Sequence, residues 1–314
     1  MQHDETMEHS AHTAPQANGL PVSGPSPDVP SRSPILPQGG GGSCGCAGAP
    51  GLSPNGSGMV PFVYAIGRVE ARFPNLAAEK EFAQVTGRTE TAGKTDQQTF
   101  QVVLSKRENR YLVRQLCWVL TIQGLETYLL APRDPADIDL LVEAIRHAPG
   151  PSDIDVVIGL RGPIAPPEMC NGLMIPIVAF DQLYSFDRNA LINAIPKPEK
   201  TTATQFAPAA EELFNRIMQV TDNAGATDEH RALNYLAMRY PAIYAKAAEE
   251  FGQSCSLTGE EVRPSPLSSS RNIVDVVFCY TNRNTDFTEK FFLRCDVTEE
   301  FPFLVTKLSP YYDR

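Results

Sequence analysis

The stretch Arg271 to Arg314, RNIVDVVFCYTNRNTDFTEKFFLRCDVTEEFPFLVTKLSPYYDR, decides the fold class. It reads as an antiparallel β unit whose turns are acidic and rich in amides. Within it, Thr281-Asn282-Arg283-Asn284-Thr285-Asp286 is a β-turn of side chains that hydrogen-bond their own backbone. The same amides could hold a peptide backbone, which makes Asn282 and Asn284 candidate binding residues.

Working outward, the chain before this unit is helical over about 206–252. Pro208 suits the first turn of one helix, AAEELFNRIMQV, where its missing N–H does no harm. Thr227 caps a second, DEHRALNYLAMRY, with Asp228 and Glu229 set against the helix dipole. Pro241 marks a break before a third, which continues to Phe251. Further upstream, VYAIGRVEARF from Val63 to Phe73 alternates, with Val63, Ala65, Gly67, Val69, Ala71 and Phe73 on one face. Asn75 caps a helix that Gly87 stops, and Thr95 starts another. Leu116 to Leu130 reads as a hairpin turning at Gln123-Gly124. A helix over Ala136 to Arg146 precedes the buried strand Val156–Leu160, and RGPIAPPEMCNG leads to a strand within Leu173–Phe186. Helices and strands fall in blocks, not in strict alternation, so the prediction is an α+β fold with mixed or antiparallel sheets.

Residues 1–60 are dominated by Pro, Gly, Ser, Asn, Gln and Ala and are read as a disordered arm. Residues 61–314 are long enough for one domain, or for two packed subdomains at about 61–200 and 201–314. The formal charge is −10, and no Lys/Arg cluster offers a phosphate-binding surface, which argues against nucleic acid. No apolar run reaches the roughly 18 residues of a membrane span, and the N-terminus has no basic and apolar signal pattern. Seven cysteines, an odd number, suggest reduced thiols in a cytoplasmic protein and not a disulfide framework.

Candidate chemistry is sparse. A serine protease needs a Ser, a His base and an orienting Asp. Beyond the arm only His147 and His230 occur, each at a helix end, and no nucleophile motif accompanies them. The arm's Cys44-X-Cys46 is spaced too closely for an ordinary zinc pair, and His3, His9 and His12 sit in a solvated acidic tail. Cys117, Cys170, Cys255, Cys279 and Cys295 read as core residues. Cys117, Cys170 and His230 are the candidate ligands should zinc be bound through convergence in the fold. The loop after Leu160 sets Pro163, Pro166 and Pro167 around Arg161, Glu168 and Asn171, so these three polar residues are the other candidate binding residues. The plainer account of that loop is a proline-stiffened connection in which Arg161 and Glu168 pair.

Several stretches resemble the C-terminal domain of PatG-type cyanobactin maturation proteases. They are VYAIGRVEARF near Val63, NRYLVRQLCWVLTIQGLETYLL near Asn109, DVVIGLRGPIAPPEMCNGLMIPIVAFDQLYSFD near Asp155, ATDEHRALNYLAMRYPAIY near Ala226, and the closing stretch. In that family the region trails a subtilisin-like domain that excises and cyclises ribosomally made precursor peptides. The resemblance therefore implies the maturation pathway, while the residues for peptide cleavage are not in this sequence. The resulting expectation is a non-catalytic accessory module of that pathway, binding the precursor peptide or a modifying enzyme, or forming a homodimer. The alternatives are a zinc-dependent enzyme and a purely structural oligomerisation domain.

Overall fold

The structure, a computed structural model, describes residues 61–87, 95–146, 150–195, 203–220 and 222–312. The arm with its Cys44, Cys46 and histidines, and His147, lie outside the described residues.

The alternating Val63 stretch forms β1 (Phe62–Arg72), the first strand of a closed barrel. Its first half, Phe62 to Gly67, pairs antiparallel with β4 (Asp153–Ile164). Its second half, Arg68 to Arg72, pairs with β2 (Cys117–Ile122). A hairpin joins β2 to β3 (Leu125–Pro132) through Gln123 (φ 51°) and Gly124 (φ 82°). Two successive left-handed residues give the turn whose twist matches that of the strands. β3 runs parallel to β5 (Pro176–Asp187), and β5 pairs antiparallel with β4 to close the order β1-β2-β3-β5-β4. Val63, Ala65, Val69, Trp118, Leu120 and Phe180 fill one hydrophobic core with α1 (Leu76–Thr86), α2 (Asp96–Leu104), α3 (Arg110–Gln115) and α4 (Ile138–Ala144). Asn75 caps α1, and Thr95 with Gln98 forms a full capping box on α2.

The other row of β1 is buried as well. Tyr64 and Ile66, with Val156 and Ile158 of β4, pack on Met218, Tyr235 and Met238 of the helical layer. That layer is α6 (Ala203–Met218), α7 (Asp228–Arg239) and α8 (Ala242–Gly252), reached through the short α5 (Arg188–Ala194). Its opposite side packs on a four-stranded antiparallel sheet of β6 (Cys255–Pro264), β7 (Ile273–Asn282), β8 (Thr288–Asp296) and β9 (Phe303–Tyr311), in sequential order. Phe206, Leu213, Leu236 and Tyr244 meet Val276, Phe278 and Leu293 in that core. The fold is α+β, with a mixed barrel and an antiparallel C-terminal sheet on either side of the helices.

Two sequence expectations need correction. Pro208 lies inside α6, which begins at Ala203, so it interrupts the helical hydrogen-bond ladder instead of opening it. β4 extends to Ile164 and absorbs Arg161 from the predicted loop, because its pairing with β5 continues past the apolar run, through a register shift, to Ile164 opposite Pro176.

Polar groups on α7 and the loop before it tie the layers together. The first half of β1 has no β2 partner, and residues 223–225 cover that edge. The Tyr64 N–H donates to the Gly225 carbonyl at 2.9 Å, and the Asn234 amide donates to the Tyr64 carbonyl at 2.8 Å. Asn223 and Asn234 exchange amide hydrogen bonds of 2.8 and 3.1 Å, and Asn223 also donates to Ile217. Both asparagines are buried. Gly225 has φ +70°, and a Cβ there would sit 2.2 Å from the Tyr64 oxygen, so only glycine permits the approach. Three residues before Asn234, buried Arg231 reaches the sheet side, donating to the carbonyls of Val297 (2.6 Å), Glu299 and Glu300. Its guanidinium also lies over the Phe62 ring, 5.3 Å from the centroid. Tyrosines from the same region also reach the edge strand β9: the Leu308 N–H donates to the Tyr240 hydroxyl at 3.2 Å, and Tyr235 bonds the Leu304 backbone.

Replacing Asn234 with Leu strands the Tyr64 carbonyl and the Asn223 side-chain oxygen without partners in a dry interior. At about 1–3 kcal/mol for each orphaned group, the expected loss is about 2–5 kcal/mol, measured as a lower urea midpoint at unchanged slope.

Candidate functional site

The segment between β4 and β5 is stiff. Pro166 and Pro167 limit its backbone, and three short-range bonds fold it: Met169 N–H to Pro166, Gly172 N–H to Pro167 at 2.7 Å, and Leu173 N–H to Cys170. Asn171 (φ 46°) and Gly172 (φ 86°) make a left-handed pair at its tip. The Asn171 N–H donates to the Pro74 carbonyl at 3.1 Å, which holds the tip against the start of α1. Cys170 is joined by a disulfide to Cys117 at the start of β2, with the two Cα atoms 5.9 Å apart. This anchors the loop to the barrel wall across 53 residues of sequence.

A cleft of about 640 Å³ opens beside this loop, within the range of small-ligand and peptide side-chain sites. Phe73 and Phe100 form its aromatic floor, with ring centroids 5.3 Å apart, and Phe82 backs Phe100 at 4.7 Å. Arg72, Glu79, Glu126, Asn171 and Leu173 line it further. Arg72 is held by Glu126 and, at 3.3 Å, by Glu70.

Of the residues singled out in the sequence, Asn171 and Cys170 line this cleft. Arg161 and Glu168 are exposed, and among the described residues they form no ion pair with each other or with any other group, so the expected Arg161–Glu168 pairing is absent. Asn282 and Asn284 sit at the β7–β8 turn. The Asn282 side-chain oxygen accepts from the N–H groups of Asn284 (2.9 Å) and Thr285 (3.2 Å), and its amide donates to Gln253. These groups build the turn. The cysteine expectation is corrected for one pair: Cys117 and Cys170 are not reduced thiols, and a disulfide removes both thiolates as metal ligands. His230 stands in the first turn of α7, its backbone N–H donating to Thr227 Oγ1 at 3.2 Å. Among the described residues no three His, Cys, Asp or Glu side chains gather as a metal site. Cys255, Cys279 and Cys295 are buried, and burial pushes the Cys295 thiol up to about 12, far from a reactive thiolate. Sequence reading missed Phe73, Phe100, Glu79 and Glu126 as a group. They come from the residue after β1, from α2, from α1 and from β3, so no local spacing connects them.

The PatG Domain family profile matches residues 62–263, more than half of the chain, from the first barrel strand to the end of β6. This chain belongs to the PatG domain family. A solved structure described as "PatG Domain of Unknown Function" superposes with a TM-score of 0.63, covering 80% of this chain and 99% of that one. The two are 20% identical, so the likeness speaks to the fold of the PatG domain alone. No curated protein matches the sequence. No helix among the described residues of this PatG domain is long and apolar enough to cross a membrane.

The strongly perturbed ionisable groups of this PatG domain serve its framework. Burial raises the phenols of Tyr64, Tyr128 and Tyr244; Tyr64 pairs with the Tyr184 hydroxyl at 3.0 Å and Tyr128 donates to Ala224. Glu300 is pushed up to about 7 by burial and by its contact with Asp181, while Arg133 bonds Asp181 at 2.9 Å and draws the other way. This carboxyl pair joins the barrel rim to the loop before β9. Asp155, buried on β4, accepts from the Val69 N–H at 2.6 Å and from the Ser185 hydroxyl, linking β1, β4 and β5. Burial outweighs these bonds and pushes its carboxyl up to about 6.

The folded state therefore holds the Asp155 proton more tightly than the unfolded chain does. Its contribution to stability is full below the unfolded value near 4 and is lost as pH rises through about 6. Urea midpoints across pH 4 to 7 should show Asp155→Asn gaining on wild type by on the order of 2–3 kcal/mol over that window. A difference that stays constant with pH contradicts this assignment.

Proposed function

We propose that this chain is a non-catalytic recognition module in the maturation of a ribosomally synthesised, post-translationally modified peptide of the cyanobactin kind. Its partner is the precursor peptide or an enzyme that modifies it. The cleft carries this reading. A disulfide, prolines and cross-loop hydrogen bonds fix its wall, and rigid walls lower the entropy lost when a flexible segment is bound. Family membership supports the pathway, because the family's name comes from proteins of that maturation route. Supporting the non-catalytic part, the perturbed carboxyl, phenol and thiol groups described above are engaged in holding strands and helices together. The zinc-enzyme alternative loses two of its three proposed ligands to the disulfide.

Isothermal titration of the full chain with the precursor peptide and with each modifying enzyme of its own gene neighbourhood tests the proposal. Saturable binding to at least one of them at micromolar concentration is expected, with no change in the peptide's mass. Silence toward all of them, or cleavage of the peptide by the chain alone, contradicts it.

A further inference from the structure

The cleft's electrostatics and its rim specify a partner. Glu79 and Glu126 line it, and a smaller pocket that shares Ala71 and Phe100 with it adds Glu70 and Asp96. Among the described residues that line the two pockets, four are carboxylates and one is a cation, Arg72, which Glu70 and Glu126 already hold. Glu79 and Asp96 are exposed and form no ion pair among the described residues. They stand in the first turns of α1 and α2, where the dipole favours an acid, yet Glu79 also lines the cleft and Asp96 the pocket that shares Ala71 and Phe100 with it. An anionic ligand would meet repulsion there, and a cation would be drawn in and could rest on the Phe100 face.

Exposed apolar side chains flank the lining residues in sequence. Ile164 at the end of β4, Met169 and Met174 on the loop and Leu76 at the start of α1 are 60%, 47%, 61% and 61% accessible. The Asn171–Pro74 bond ties the loop to the approach to α1. Unbranched methionines on such a loop adapt to side chains of varied shape. Concentrated exposed apolar area beside a concave site is a mark of an interaction surface.

We infer that this groove binds an extended peptide segment in which a Lys or Arg adjoins a large apolar side chain. The basic group is held by the acids Glu79 and Asp96 beside Phe100, and the apolar one rests over Phe73, Phe100 and Leu173. The inference rests on the recognition-module reading and names its ligand.

Two fluorescein-labelled octapeptides test it by anisotropy with the full chain at low salt: Gly-Ser-Lys-Leu-Phe-Arg-Ser-Gly, and the same peptide with Glu in place of Lys and Arg. The basic peptide should bind at least tenfold more tightly, and added salt should erode the difference. The neutralising double variant Glu79→Gln/Asp96→Asn should weaken it about fivefold or more, with the fold retained by circular dichroism and a melting temperature lowered by only a few degrees. Leu173→Glu should weaken it too. Equal binding of the two peptides, or wild-type affinity in the double variant, overturns the inference. Precursor binding that the double variant leaves intact overturns the groove assignment but keeps the module reading. Groove-dependent binding of the basic peptide, with no affinity for precursor or pathway enzymes, overturns the maturation reading alone.

Discussion

A pair of buried side-chain amides holds this protein's architecture. Asn223 and Asn234 bond each other, and Asn234 bonds the Tyr64 carbonyl on the one stretch of β1 that β2 leaves bare. Backbone polar groups at that edge would otherwise be sealed from water without partners, which a folded chain does not tolerate cheaply. Gly225 lets the loop approach closely enough to supply the second bond. One turn earlier on α7, Arg231 satisfies carbonyls of the segment leading into β9. A single helix thus meets the hydrogen-bonding needs of the barrel and of the sheet. Apolar clusters pack on both sides of it, and its polar residues set how the two sides register.

Much of this fold was legible in the sequence because local rules wrote it. The caps Asn75, Thr95 and Thr227, the Gln123-Gly124 turn, the Asn282 turn and the closing β unit all rest on contacts a few residues apart. Long-range pairings were not legible. The Tyr64 and Ile66 row was passed over because Arg68, Glu70 and Arg72 make the same face look solvent-exposed farther along. Asn223 reads as a loop amide and Asn234 as a helix-surface amide until their 170- and 11-residue partners are in place. The parallel β3–β5 contact leaves no mark in a strand's own alternation. Pro208 misplaced a helix start because tertiary packing, with Phe206 fully buried, extends α6 past the proline's local preference.

The candidate site shows the same division. The proline-stiffened loop pointed to the right region, and Asn171 lines the cleft. Its partners arrive from four other parts of the chain, and its clamp, Cys117–Cys170, joins residues that spacing alone cannot pair. Arg161 and Glu168, chosen for charge, are exposed outside the lining, while Glu79 and Asp96, which read as ordinary helix-start acids, line the cleft and the smaller pocket that shares Phe100 with it. The proposed recognition role draws on surface the core does not need, and the buried titratable groups belong to the framework.

Native-state hydrogen exchange measures most directly whether α7 joins barrel and sheet into one cooperative body. The Tyr64 amide, which donates to Gly225, and amides in the middle of β7 and β8 should open with the same free energy, equal to that of global unfolding. If the Tyr64 amide exchanges through a much cheaper opening while β7 and β8 stay protected, the helix does not hold the two sides together as argued.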